Sequence, residues 1–169
     1  MKKLTFLALL LFCPHGNSSP VNGEITNEIE RIHSLRETLV TGVQGKVTKE
    51  TFQAVCKPVG MELQKLAKSK GIMIKQASTK YRNPKNKPTS MELDIFNRMS
   101  NDANLVSLWT KSGEGHHYFR RIDVQKACLN CHGAKSNRPE FIKSKYKNDK
   151  AFGFKAGDLR AIYSVFIPN

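Results

Sequence analysis

The chain has 169 residues, a formal charge of +14, and 28 Lys and Arg against 14 Asp and Glu. That length is one domain's worth of chain, enough for one core. The charge suits acidic proteins, anionic lipids or nucleic acid as partners, but no RNA-binding or zinc-finger pattern accompanies it, which speaks against nucleic acid.

Lys2 and Lys3 precede an apolar run from Leu4 to Cys13. Ten residues are too few to span a bilayer, which takes about 20. The pattern is that of a secretory signal over residues 1–18, with Gly16 and Ser18 as the small residues before the cut. The rest, residues 19–169, forms one domain. Periplasmic or secreted location follows, in an oxidising compartment. The alternative is a lipoprotein anchored through Cys13, although Phe12 is bulky where a small residue is usual. No other segment is apolar enough to cross a membrane. Loss of Lys2 and Lys3 takes the charge from +14 to +12.

From Glu24 to Val43, Ile25, Ile29, Ile32, Leu35 and Leu39 make one apolar stripe at helical spacing. Thr48 offers an N-cap for a second helix to about Ser69. Phe52, Val55, Cys56, Val59, Leu63 and Leu66 share its apolar face. Cys56 is thus expected on the buried face, and Pro58 should kink the helix just beyond it. Gly71 ends the helix and "IMIKQ" reads as a strand. Ser78–Pro88 is rich in turn residues. Thr89 and Glu92 form a capping box for a helix over Ser90–Met99. Asn104–Thr110 and His116–Val124 read as strands of a hairpin. Lys135–Lys150 reads as a basic, solvated loop, and Arg160–Ile167 as the closing strand. Helices followed by hairpin-linked strands make an α+β domain with an antiparallel sheet after two N-terminal helices.

The chemistry lies in Cys128-Leu129-Asn130-Cys131-His132. Cys-x-x-Cys-His is the attachment pattern of c-type haem. Two residues between the thiols let one helical turn offer both sulfurs to adjacent vinyl groups. The following histidine then lies under the iron. One covalently attached haem c is therefore the expected cofactor. A local disulfide or a thiol redox pair is the alternative. A zinc site would need a second Cys/His pair at finger spacing, and none is present. For the second axial position the candidates are Cys56, the methionines Met61, Met73, Met91 and Met99, and His33, His116 or His117. A thiolate would favour ferric iron and lower the potential; methionine would raise it. Arg82 could pair with a haem propionate, or with Glu92 or loop carbonyls instead. Tyr118, Phe119 and Trp109 lie on a strand face, where at least one should meet the porphyrin.

Four stretches resemble a family of small exported c-type haem domains with a PAS-like fold, found alone or as sensory inputs of bacterial signalling proteins. They are Ala54-Val55-Cys56; the run from Ser78 to Pro88 with its "RNPKNKP" segment, followed by Glu92; Ala127 to Gly133; and Gly153 to Arg160. The resemblance spans about Ile25 to Pro168. It implies His132 and Cys56 as axial ligands and a PAS-like sheet with haem between sheet and helices. Gln76 and Ala77 depart from an expected Arg-Thr-like pair, and Ala161 from an expected glycine.

The expectation is a non-enzymatic redox or small-ligand sensor, open to carbon monoxide or nitric oxide on reduction. Its cofactor-binding residues would be Cys128, Cys131, His132, Cys56, Arg82 and Tyr118, with an acidic redox or signalling protein as partner. The alternative is a soluble periplasmic electron-transfer cytochrome c.

Overall fold

The computed structural model describes residues 20–169, so the expected signal segment and Cys13 lie outside the described residues. Two long helices come first, α1 (Pro20–Thr41) and α2 (Lys49–Lys70). Thr48 caps α2, accepting from the Thr51 amide. Gly71 closes it in the left-handed region at φ 64°, where a side chain would be strained. The helix runs on through Pro58, so the expected kink does not end it.

Strand β1 (Met73–Ala77) follows, then α3 (Ser90–Asn101), β2 (Ser107–Ser112), β3 (Gly115–Asp123) and the closing strand β4 (Leu159–Pro168). Thr89 and Glu92 form the expected capping box: Glu92 Oε2 accepts from the Thr89 amide at 2.7 Å. Between β3 and β4 lie two short helices, α4 (Leu129–His132) and α5 (Glu140–Lys145). The stretch read as a basic loop thus contains α5, whose Ile142 is fully buried. One buried side chain in a Lys-rich run is too weak a periodic signal to read in advance.

The four strands form one antiparallel sheet in the order β1-β4-β3-β2. The α+β architecture expected from the sequence is the one observed. Alternation sorts side chains to the two faces. Tyr118, Ile122, Ala161, Tyr163 and Val165 pack against Ile25, Ile29 and Ile32 of α1 and Val59, Leu63 and Leu66 of α2. Phe119 and Ile162 face the other way, onto Ile95, Phe96 and Met99 of α3. Ile25, Ile29 and Ile32 are fully buried, each contributing about 1.5–3 kcal/mol by leaving water.

The β3–β4 register shifts at its end: Ile122 faces Ala161, but Asp123 faces Leu159. Arg160 is therefore an extra, unpaired residue. Such a bulge turns a side chain away from its alternating face. Leu159 stays with the α3 cluster, whereas Arg160 and Ala161 both face a cavity on the side of α1 and α2.

Candidate functional site

The Cys-x-x-Cys-His motif follows β3 directly. A 3-10 turn over Lys126–Cys128 feeds α4. Cys128 and Leu129 pack on Val124, Ala151 and Phe154, a small cluster that pins the turn. Gly133 ends it: its amide donates to the Leu129 carbonyl at 2.8 Å. A Cβ at this position would stand 2.6 Å from that carbonyl oxygen, so only glycine lets the chain leave here.

His132 is partly buried at the edge of the fold's interior. Its Nδ1 stands 2.7 Å from the Ala151 carbonyl oxygen. A carbonyl only accepts, so Nδ1 carries the proton and Nε2 keeps a lone pair. Burial, then the charges of Arg160 and Arg82, hold the ring well below the usual histidine range, so it is neutral, the form in which imidazole binds a metal.

The Ala151 carbonyl is itself held. Its amide donates to Asp149 Oδ1 at 2.9 Å. Asp149 Oδ2 meets Arg138 Nη1 at 2.9 Å and Arg82 Nε at 3.2 Å, and the carboxylate is wholly buried. Arg82 also donates from Nη2 to the Cys131 carbonyl at 2.9 Å. Arg82 thus ties the motif to Asp149 and does not pair with Glu92, which takes Lys75 at 2.7 Å.

The motif faces a cleft whose empty space, open mouth included, is about 1060 Å³. Cys128, Cys131 and His132 line one part of it. Phe52, Val55, Cys56 and Val59 of α2 line another, with Val40 of α1 beside them. Cys56 is exposed to this space instead of packing in the core, as its place on the apolar stripe suggested. That stripe divides: Val59, Leu63 and Leu66 are buried under the sheet, while residues one to two turns earlier face the cleft. Surrounding protein still withholds water, and burial pushes the Cys56 thiol up and the Cys131 thiol up to about 11. The three cysteines among the described residues are free thiols.

Three guanidinium groups meet the same space: Arg36 from α1, Arg82 from the turn-rich segment and Arg160 from the β4 bulge. Among the described residues no acidic side chain lines the cleft. Arg160 is held by Ser78 Oγ at 3.1 Å and the Lys80 carbonyl at 3.2 Å. Burial, with Arg82 and Arg36 nearby, lowers its pKa to about 10. Arg36 Nη1 is buried with no hydrogen-bond partner. Asp149 answers Arg82 from behind the cleft, but Arg36 and Arg160 meet no carboxylate there, and the orphaned Arg36 donor invites an anion.

The remaining candidates lie elsewhere. Tyr118 is buried in the core, its hydroxyl donating to Glu30 at 3.0 Å; it does not line the cleft. Phe119 belongs to the α3 side of the sheet. Trp109 stacks on Tyr118 at 5.0 Å. His33 meets Tyr163 edge-on, and His117 packs on Phe166 at the hairpin end. The strand pattern signalled burial for the aromatics, but not which face of the sheet carries the cleft. Arg36 and Arg160 escaped the sequence reading. Their only signal was a charge interrupting an apolar pattern.

No match was found among curated proteins. A solved structure, described as the crystal structure of the cyanobacterial heme-protein Tll0287, superposes with a TM-score of 0.82 at 42% identity, over 90% of this chain and 98% of that one. The family model Tll0287-like matches residues 20–168. Nearly the whole described chain is covered, and the chain belongs to the Tll0287-like family.

Proposed function

We propose that this protein binds one haem covalently at Cys128 and Cys131, with His132 and Cys56 as axial ligands, and acts as an exported redox or small-ligand sensor rather than an enzyme. One observation carries the reading: both motif thiols, the neutral His132 and Cys56 face a single cleft. The residues present fit the group. Thioether bonds from Cys128 and Cys131 would hold the macrocycle. His132 offers Nε2 because Nδ1 is spent on Ala151. Arg36, Arg82 and Arg160 supply cations for two propionates. Haem would bring a one-electron iron centre to the cleft.

Cys56 supplies the switch in this reading. A thiolate suits ferric iron; on reduction by an electron from a redox partner, Cys56, exposed to the cleft, would take a proton from solvent and let go. Its release would leave a position open to carbon monoxide or nitric oxide and would loosen α2 near Pro58, where the helix lacks one backbone hydrogen bond. The alternative, an electron carrier docking acidic partners through its basic surface, requires both axial ligands to stay in both states.

The test is the visible spectrum of protein matured in a haem-attaching periplasm, oxidised and reduced, beside Cys56→Ser. Expected are a low-spin ferric spectrum that the substitution changes and carbon monoxide binding only after reduction. An unchanged spectrum that stays six-coordinate on reduction selects the electron carrier. Protein without covalent haem overturns both.

A further inference from the structure

We propose that a second cavity, between α2 and α5, binds a small organic carboxylate with an apolar body and that its occupancy acts on Cys56. The proposal rests on the sensor reading and names its input. The empty space, open mouth included, is about 800 Å³. Phe52, Phe141 and Ile142 give it an apolar wall, with Phe52 and Phe141 ring centroids 5.9 Å apart. Lys49, Lys57 and Lys145 stand on the same wall. Among the described residues none of the three makes an ion pair, and no acidic side chain lines the cavity. Lys49 and Lys57 have no acidic partner among those residues, and Lys145 lies over the Tyr146 ring at 5.5 Å; three exposed ammonium groups around an aromatic hollow complement a carboxylate on a hydrophobic tail or ring.

Two contacts join this cavity to the first. Phe52 lines both and lies one helical turn before Cys56, on the same side of α2. Tyr146, in the second wall, lies under the Arg82 guanidinium at 5.7 Å, and Arg82 holds the Cys131 carbonyl. A guest that displaces Phe52 or Tyr146 therefore shifts residues flanking Cys56 and Cys131.

The experiment titrates haem-loaded protein with octanoate, and with octanol as the neutral control. Calorimetry and the visible spectrum are read together. Saturable octanoate binding is expected, with octanol at least about tenfold weaker. The surface variant Lys49→Gln/Lys57→Gln/Lys145→Gln should lose about tenfold in octanoate affinity, from the summed effect of exposed charge pairs. The visible spectrum should shift with the same midpoint as the heat. Absence of saturable heat, equal binding of octanol, or unchanged affinity in the triple variant overturns the site. Tight binding of polyglutamate without octanoate binding gives the lysines to an acidic protein and also overturns it. Heat with no spectral change, in protein whose spectrum responds to Cys56→Ser, overturns the coupling. If Cys56→Ser is itself silent, the sensor reading fails, while the isotherm still decides the cavity.

Discussion

His132 is oriented by a backbone carbonyl, and that carbonyl is oriented by a buried carboxylate. The chain from Asp149 to Ala151 to His132 makes Asp149 a positioning residue. Asp149→Ala removes the buried carboxylate that Arg82 and Arg138 share. Both guanidiniums keep a backbone carbonyl, Cys131 for Arg82 and Lys135 for Arg138, so the loss stays below about 3–5 kcal/mol, the cost of breaking a fully buried pair, to be measured by urea unfolding of haem-loaded protein. In the milder Asp149→Asn, a spectrum altered more than the stability loss accounts for marks the positioning role. His33 sets a pH dependence. Burial, then Arg120, lowers its pKa; Glu37 and Glu30 oppose this, Arg36 reinforces it, and the Tyr163 ring closes the sheet side. A histidine with a lowered folded pKa binds its proton more readily when unfolded. Stability is therefore full above the ordinary value near 6.5 and falls as pH drops below it. Urea midpoints from pH 7 down to about pH 5 should decline less in His33→Phe than in wild type; parallel curves would remove His33 as the cause.

At the scale of elements, α4 is a single turn, too short to hold itself together. It depends on Gly133, which lets the chain turn under the Leu129 carbonyl, and on backbone bonds from Gly153 to Gly133 and from Phe154 to His132. Gly133→Ala would push that carbonyl from a 2.6 Å contact and displace both Cys131 and His132. The expected outcome is a several-fold loss of covalently attached haem per protein, read by haem stain and absorbance, while far-ultraviolet circular dichroism keeps the α1, α2 and sheet signal. Full loading in Gly133→Ala would show that the turn can relax.

For the whole molecule, the cleft stores repulsion. Arg36, Arg82 and Arg160 share a space with no lining carboxylate; Asp149 answers Arg82 from behind it at 3.2 Å, which leaves Arg36 and Arg160 uncompensated in a chain of charge +14. Haem propionates would relieve this, and binding to the folded state alone adds stability by mass action. Haem-free protein should therefore melt below the loaded form. Arg36→Gln should raise the haem-free melting temperature and lower that of the loaded protein. High salt, with a screening length of about 3 Å at 1 M, should shrink the first effect. Equal shifts of one sign in both forms would mean that Arg36 serves only the fold.

Much of this could be read along the chain, because local physics acts over a few residues. The stripe of Ile25, Ile29 and Ile32, the cap at Thr48, the box of Thr89 and Glu92, and the stop at Gly71 each depend on neighbours one turn away. Cys128, Cys131 and His132 stand out for the same reason: the Cys-x-x-Cys-His spacing lies within five residues. What the chain order did not carry is where the faces meet. Cys56 reads as core by periodicity but opens on the cleft, because α2 outruns the sheet that would cover it. Tyr118 reads as a cofactor contact and is instead core beneath α1. Arg160 reaches the cleft through a bulge, which is set by the register of two strands far apart in sequence. Arg36, Cys56, Arg82, Cys131 and Arg160 become one site through long-range packing alone, and no local spacing encodes which of them will share a wall.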